Sequence, residues 1–217
     1  MPAKLNPATW FKKDKIATTP LPAIKPTIET TESGPASESP ASTKSESTSR
    51  YHYRQPGRPA EGNRLEAQRF FAEGVKAQQE ERWTDAIAAY QKALKLDPSY
   101  FGAYYNLALA AREVGDLSAA ASAYEYALAI TPDSANARYS FAYTLQEMGY
   151  FQDAAIELRK LLALNPNETR AHLLLGNLYA QRLAQPISAR EEYLKVLAAE
   201  PQHPQATQIR YWLAAHP

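Results

Sequence analysis

Residues 67–98, AQRFFAEGVKAQQEERWTDAIAAYQKALKLDP, decide the fold of this chain because their pattern returns three more times. The four copies end in KALKLDP, YALAITP, KLLALNP and KVLAAEP, which places Pro98, Pro132, Pro166 and Pro201 at intervals of 34, 34 and 35 residues. Repetition at this period is typical of stacked supersecondary units. We therefore predict a repeat architecture before assigning any single helix.

Each repeat divides into two helical stretches. In the second unit, apolar residues at helical spacing predict one helix over 101–114 and another over about 117–130. Gly115 separates the two stretches, and Gly149 takes the same place in the third unit. Both glycines lie where the chain must reverse, a position that often needs a positive φ. The prolines follow the second helix of each unit, because proline lacks the N–H and clashes with a continuing turn.

The pattern resembles the tetratricopeptide repeat, a helix–turn–helix unit of the same length. That family favours a large residue at repeat position 4, Leu, Gly or Ala and Tyr at 7, 8 and 11, then Ala, an aromatic residue and Ala at 20, 24 and 27, and Pro at 32. The matching residues are Phe70, Gly74, Ala86, Tyr90, Ala93 and Pro98 in unit one; Tyr104, Leu107, Ala108, Ala120, Tyr124, Ala127 and Pro132 in unit two; Phe141, Ala142, Ala154, Leu158 and Pro166 in unit three; and Leu175, Gly176, Tyr179, Ala189, Tyr193 and Pro201 in unit four. Arg138 and His172 depart from the pattern at position 4, and an extra residue lies near Gln185-Pro186.

The resemblance implies an all-α fold, a right-handed solenoid of antiparallel helix pairs. We place the repeats at about 67–100, 101–134, 135–168 and 169–203, within a domain of residues 63–217. Asn63 is the expected cap of the first helix, with Glu66 at capping-box spacing. An apolar stripe predicts a ninth helix over about 204–215, which would cover the last exposed face. The alternative is that this helix begins a fifth unit that is cut short.

Residues 1–62 differ in composition and are predicted to form a disordered tail. Residues 1–60 hold nine of the sixteen prolines, and residues 33–49 contain no large apolar side chain. Such a segment cannot bury enough surface to offset the entropy of ordering it. Two islands, Trp10-Phe11-Lys12-Lys13 and Tyr51-His52-Tyr53-Arg54, mix aromatic rings with positive charge. Each is either a short docking motif or ordinary linker.

Charge and composition exclude several classes of function. Residues 1–60 have a net charge of +4 and the remaining residues −3, so clustered positive charge for a nucleic acid is not expected. The sequence shows no export signal and no apolar run long enough for a membrane span, which favours a cytoplasmic protein. The four histidines are scattered without metal-ligand spacing, and no phosphate-binding loop or nucleophile motif occurs. We predict a protein that is not an enzyme and holds no cofactor or metal.

The resemblance implies that the first helix of each unit lines a concave groove. In the family, positions 2, 5, 9, 12 and 13 point into it. The candidate partner-binding residues are Phe71, Val75, Tyr105, Leu109, Arg112, Tyr139, Tyr143, Gln146, Leu173 and Asn177. Aromatic rings and arginine are common at interface hot spots. The competing interpretation is that some of these side chains only pack against neighbouring helices.

The groove residues do not match the subclass of this family that clamps the C-terminal carboxylate of chaperones, since the required lysines and arginine are absent in both possible registers. The favoured hypothesis is a protein–protein interaction module, an adaptor or scaffold that binds a peptide or helix bearing apolar and aromatic groups. Two alternatives remain open: a self-assembling or autoinhibited structural protein, or the regulatory subunit of an enzyme complex.

Overall fold

The computed structural model describes residues 50–217, which form nine α-helices and no strand. The helices are α1 Arg64–Gln79, α2 Trp83–Leu96, α3 Phe101–Glu113, α4 Leu117–Ile130, α5 Ala135–Glu147, α6 Phe151–Leu164, α7 Thr169–Gln181, α8 Pro186–Ala199 and α9 Ala206–Ala215. Each helix packs against the next in sequence, and α1 also contacts α3. The predicted all-α array of four helix pairs and a final helix is confirmed. The predictions for residues 1–49, the Trp10-Phe11 island included, lie outside the described residues.

The turns within the pairs have the backbone that the glycines predict. Gly115 and Gly149 adopt φ values of +83° and +84°, a region that glycine enters without steric cost. The predicted N-cap is also present, since the Asn63 side chain accepts a hydrogen bond from the Glu66 backbone N–H at 3.2 Å. In a full capping box the Glu66 side chain would accept a hydrogen bond from the Asn63 backbone N–H. Here that N–H donates to the Leu96 carbonyl at 2.8 Å, so the cap also joins α1 to the end of α2.

Small residues in one helix of a pair face a large ring in the other. A Cβ added to Gly74 would lie 2.5 Å from the Tyr90 ring, and one added to Gly176 would lie 2.9 Å from the Tyr193 ring. Both tyrosines are fully buried. Because close-packed interiors do not yield to such overlap, these two pairs depend on glycine at the point of closest approach.

Arg138 and His172, the departures from the repeat pattern, form two equivalent polar clamps. Arg138 Nη1 donates to Glu157 Oε2 at 2.7 Å, and Nη2 of the same side chain donates to the Pro132 carbonyl. His172 contacts the Glu192 carboxylate through Nδ1 and the Pro166 carbonyl through Nε2. Each clamp joins the two helices of a pair and ties them to the proline that ends the preceding unit.

The final helix begins at Ala206 rather than at the predicted residue 204. Pro204 and Gln205 form a turn instead, in which the Gln205 N–H donates to the His203 ring at 3.1 Å. The Trp212 ring of α9 packs edge-on against Tyr193, with ring centroids 5.0 Å apart. This helix therefore covers the end of the fourth pair, in agreement with the predicted capping role.

Residues 50–62, here termed the leader segment, lie against the helices although their composition placed them in the tail. Arg50 forms an ion pair with Asp153 of α6, with Nη2 and Oδ1 3.0 Å apart. The Gly62 N–H donates to Asp97 Oδ1 at 3.1 Å. Residues 50–62 are therefore ordered, whereas the prediction included them in the disordered tail. Their partners lie on the helices, and composition alone does not reveal them.

Asp97 joins the end of the leader segment to the first helix pair. The buried carboxylate accepts hydrogen bonds from the N–H and hydroxyl of Ser99, from Gly62 and from the Arg64 guanidinium. Burial alone would raise the pKa of Asp97, but these donors outweigh it and lower the pKa to about 2. The site therefore favours the ionised carboxylate.

We predict that Asp97→Asn destabilises the protein in a pH-dependent manner. Because the pKa is lower in the folded state, the ionised carboxylate contributes stability at neutral pH, and that contribution is lost as the pH falls toward 2. The free-energy difference between wild type and variant should shrink by roughly 2 kcal/mol between pH 6 and pH 2. Urea unfolding at steps across this range measures it. A difference that stays constant would show that the charge of Asp97 does not matter.

Candidate functional site

The first helices of the four pairs, α1, α3, α5 and α7, carry the candidate site and are here called the inner wall. Side-chain contacts connect them across the pairs. Arg112 Nε of α3 donates to Glu147 Oε2 of α5 at 2.6 Å, and Arg170 Nη2 of α7 lies 3.5 Å from Asn136 Oδ1 of α5. Residues one repeat apart in sequence thus meet on one surface.

The predicted residues at repeat position 5 are more deeply packed than a free binding surface would be. The exposed fractions of Tyr105, Tyr139 and Leu173 are 8%, 7% and 5%. Tyr105 stacks with Phe101 at a ring-centroid distance of 6.0 Å. Burial also raises the pKa of Tyr139 to about 12. These side chains form the floor of the inner wall, and little of each remains for a partner.

Phe71, the equivalent residue of the first pair, belongs to the same floor. Its ring packs against Tyr100 at 4.8 Å and Tyr90 at 5.7 Å between centroids. Val75 packs on the same cluster from the next turn of α1. For these two residues the packing role that the sequence left open is present in the structure.

The residues at position 9 are more accessible and lie one helical turn further along. Val75, Leu109, Tyr143 and Asn177 are all half-buried. Gln146 is also half-buried. The series changes from aliphatic at the first two pairs to aromatic and amide at the last two. The inner wall is therefore apolar at its N-terminal end and more polar toward its C-terminal end.

Two guanidinium groups lie over tyrosine rings of the inner wall. The Arg112 guanidinium carbon is 4.6 Å from the centroid of Tyr143, and that of Arg170 is 5.1 Å from the centroid of Tyr139. Such cation–π contacts hold a positive charge in a fixed position. Burial would lower the pKa of Arg112, but its contact with Glu147 raises it, so the group stays charged.

Arg170 is a further candidate residue of the inner wall, one that the sequence did not lead us to predict. It occupies position 2 of the fourth unit, one of the positions that face the groove in the family, and that position could have identified it. Its charge acts on Tyr105 as well as on Tyr139. The two predicted tyrosines and this arginine therefore share one region of the inner wall.

Buried tyrosines orient two amide side chains of the first helices. The Tyr193 hydroxyl donates to Asn177 Oδ1 at 2.8 Å, and the Tyr90 hydroxyl donates to Gln78 Oε1 at 2.7 Å. With each amide oxygen accepting this bond, the amide NH2 group remains as a donor. Donor amides and guanidinium groups can bind the carbonyl or carboxylate oxygens of a peptide, while the apolar residues can bind its side chains.

Within residues 50–217, no three His, Asp or Glu side chains come together as a metal site would require. No helix in this part of the chain has the length and apolar character needed to cross a membrane.

Comparisons with known proteins agree with this architecture. A family model described as TPR repeat matches residues 79–112, and one described as tetratricopeptide repeat matches residues 111–178. No curated protein matches the sequence.

Solved structures show the same fold at low sequence identity. A tetratricopeptide repeat protein from Parabacteroides merdae is 20% identical, with a TM-score of 0.65 over 69% of this chain and 59% of its own. YrrB, described as a TPR protein with an unusual peptide-binding site, is 19% identical, with a TM-score of 0.61 over 67% and 74%. MamA is 23% identical, with a TM-score of 0.60 over 66% and 89%.

Proposed function

We propose that this chain, a tetratricopeptide-repeat protein, is a non-enzymatic interaction module that binds a peptide or helix of a partner protein on its inner wall. Tetratricopeptide repeats generally bind proteins or peptides. A protein whose only activity is binding acts as an adaptor or scaffold, and we propose that role here.

The observation that carries this proposal is the pairing of two charged guanidinium groups with half-buried apolar side chains on one wall. Arg112 and Arg170 lie over tyrosine rings, which keeps them in place before a ligand arrives. Ordered groups lose less entropy on binding, so the wall is preorganised. Leu109 and Val75 continue the surface toward the first pair.

The chemistry of the wall indicates the kind of ligand. Arginine and amide donors suit the carbonyl or carboxylate oxygens of a peptide, while Leu109 and Tyr143 suit apolar or aromatic side chains. One structural neighbour, YrrB, is described as having a peptide-binding site, which supports the same class of ligand for this fold. We therefore expect a peptide that carries an apolar or aromatic anchor beside a group that accepts hydrogen bonds.

Tyr143→Ala is the variant that tests the wall with least disturbance of the fold, because Tyr143 is half-buried whereas Tyr105 and Tyr139 are buried. Random peptides displayed on phage are selected on the wild-type chain, and the binders are then synthesised. We expect Tyr143→Ala to weaken their binding by about 2 kcal/mol, roughly thirty-fold, in fluorescence anisotropy.

The matched control is Leu194→Ala, at a side chain on α8 that is 47% exposed. This variant should leave the affinity of the selected peptides unchanged, since Leu194 is not on the inner wall. Circular dichroism confirms that both variants keep their helices. If peptides bind Tyr143→Ala and Arg112→Ala as tightly as wild type, the inner wall is not the binding site.

A further inference from the structure

The leader segment crosses the second helices of three pairs, α2, α4 and α6, here called the outer face. Arg50 Nε donates to Asp153 of α6 at 3.1 Å, and the Tyr51 backbone N–H donates to the same carboxylate at 2.8 Å. The Arg54 backbone N–H donates to Glu125 of α4 at 2.8 Å. The segment therefore runs from the third pair back to the second before it joins α1.

Acidic groups of the outer face are buried with the leader segment in place. Asp153, Glu157 and Glu125 have exposed fractions of 0%, 1% and 6%. The hydrogen bonds that the structure describes for Asp153 all come from Arg50 and Tyr51. A buried carboxylate without a partner is costly, so this position favours an occupant that brings a positive charge and an N–H group.

Two tyrosines of the leader segment fill the space between these carboxylates. The Tyr51 ring packs edge-on against Phe141 at 5.8 Å and Tyr150 at 5.5 Å, and Tyr53 packs against Phe141 at 6.1 Å. Lys160 Nζ lies 5.6 Å from the Tyr53 ring centroid. Burial, followed by the nearby Glu125 carboxylate, raises the pKa of Tyr51 to about 12, so its hydroxyl keeps its proton and can donate.

The depression that receives these rings is larger than the leader segment needs. A cleft of about 480 Å³ remains open beside it. Its lining includes Tyr53, Pro56, Leu128, Ile156 and Lys160. Aliphatic walls from α4 and α6 therefore continue beyond the part that the tyrosines cover.

We propose that the outer face is a second peptide-binding site, specific for segments with arginine followed by alternating aromatic residues, and that residues 50–54 occupy it as a built-in ligand. A peptide of the same Arg-Tyr-x-Tyr chemistry on a partner protein binds there once the leader segment is displaced. The carboxylates of this site lie on α4 and α6, with Phe141 of α5 against the two tyrosines, and the lining of the cleft includes none of the candidate residues of the inner wall. The chain can therefore hold two ligands.

Tethering explains why the built-in ligand prevails in the isolated chain. The leader segment is fixed at Gly62 by Asp97, eight residues after Arg54, so it stays close to the site. A short tether gives an effective concentration in the millimolar range. A free peptide must exceed this concentration or bind more tightly, and the site therefore stays closed to weak or dilute ligands.

The test uses the full chain with the side chains of the leader segment that contact the site replaced by alanine. In the variant Arg50→Ala/Tyr51→Ala/Tyr53→Ala, the site is present and the built-in ligand is not. The probe is a labelled peptide of residues 48–57, TSRYHYRQPG. Fluorescence anisotropy should show at least about hundred-fold tighter binding to this variant than to wild type, the factor expected when a tethered competitor is removed.

Controls separate the site from the segment. His52 is exposed between the two tyrosines, so His52→Ala should bind the peptide as weakly as wild type does. Adding Asp153→Asn to the triple variant should reduce its affinity by about tenfold, and a peptide with both tyrosines replaced by alanine should not bind. If the triple variant loses its helical circular dichroism, the double variant Arg50→Ala/Tyr51→Ala takes its place with the same expected order of affinities.

Two results would overturn the proposal. One is that the helical variants fail to bind the peptide, which would make the leader segment a packed part of the fold and not a ligand. The other is that wild type is a dimer by light scattering and that the triple variant is a monomer. In that case the segment would be exchanged between two copies of the chain and would not occupy its own site.

Discussion

Tyr193→Ala should lower the free energy of unfolding by about 3–5 kcal/mol, the range for removing a fully buried aromatic ring. Tyr193 has no exposed surface, and its ring fills the space left by Gly176 in the facing helix. Its hydroxyl also donates to Asn177, and Trp212 of the capping helix packs on its edge. The variant therefore loosens the fourth pair and its cap together. Urea unfolding monitored by circular dichroism measures the change.

Tyr211→Ala is the matched control because Tyr211 lies on α9 with 65% of its surface exposed. The same chemical change there should alter the stability by less than about 0.5 kcal/mol. Similar losses for the two variants would mean that burial against Gly176 is not what stabilises this end of the array.

Glu157→Ala should destabilise the protein by about 3 kcal/mol, because it leaves a largely buried arginine without its partner. Arg138 and Glu157 have side-chain exposures of 13% and 2%, and Nη1 lies 2.7 Å from Oε2. Removing the carboxylate leaves a largely buried guanidinium charge whose remaining described partner is the neutral Pro132 carbonyl. The loss should appear as a lower urea midpoint with an unchanged slope.

Two further variants identify the cause. Lys160 also pairs with Glu157, but its side chain is 54% exposed, so Lys160→Ala should cost less than about 1 kcal/mol. Replacing both buried partners, in Arg138→Leu/Glu157→Leu, should recover much of the loss, because no unpaired charge remains. A double variant as unstable as Glu157→Ala would contradict this explanation.

The repeat architecture could be predicted because it depends on local chemistry that recurs. Pro98, Pro132, Pro166 and Pro201 end the second helix of each pair, and Gly115 and Gly149 occupy positive-φ turns. Each of these acts through its own backbone, so spacing alone is sufficient. The bounds of α3 and α4, predicted at 101–114 and about 117–130, agree with the structure to within a residue.

The candidate site could be predicted only in part. Its residues lie on the first helices of the pairs, but periodicity does not separate a residue that faces a groove from one that packs beneath it. Tyr105 and Tyr139 turned out to be buried, while Tyr143 keeps more of its surface. That difference depends on how closely adjacent pairs approach, which is a tertiary property.

The packing of the leader segment on the helices could not be predicted from the sequence either. Tyr51 and Tyr53 lie in a proline-rich stretch, and nothing local distinguishes them from a linker. Their partners Glu125, Asp153 and Phe141 are far along the chain, and a single sequence does not indicate which distant groups will meet. Acidic residues are common in the first turn of a helix, so Asp153 at the start of α6 does not stand out in the sequence. Its contact with Arg50 and Tyr51 is visible only in the structure.

The leader segment also bears on how the array unfolds. In a solenoid each unit touches only its neighbours, so stability is a sum of nearest-neighbour terms and the ends can open independently. The Arg50–Asp153 contact joins residues 103 positions apart and bridges the third unit to the N-terminus of the first. We expect such a strap to slow folding, because a long loop must close, and to make the first three units melt together. Independent opening is then left to the fourth unit and α9, which hydrogen exchange would detect as the least protected part of residues 64–215.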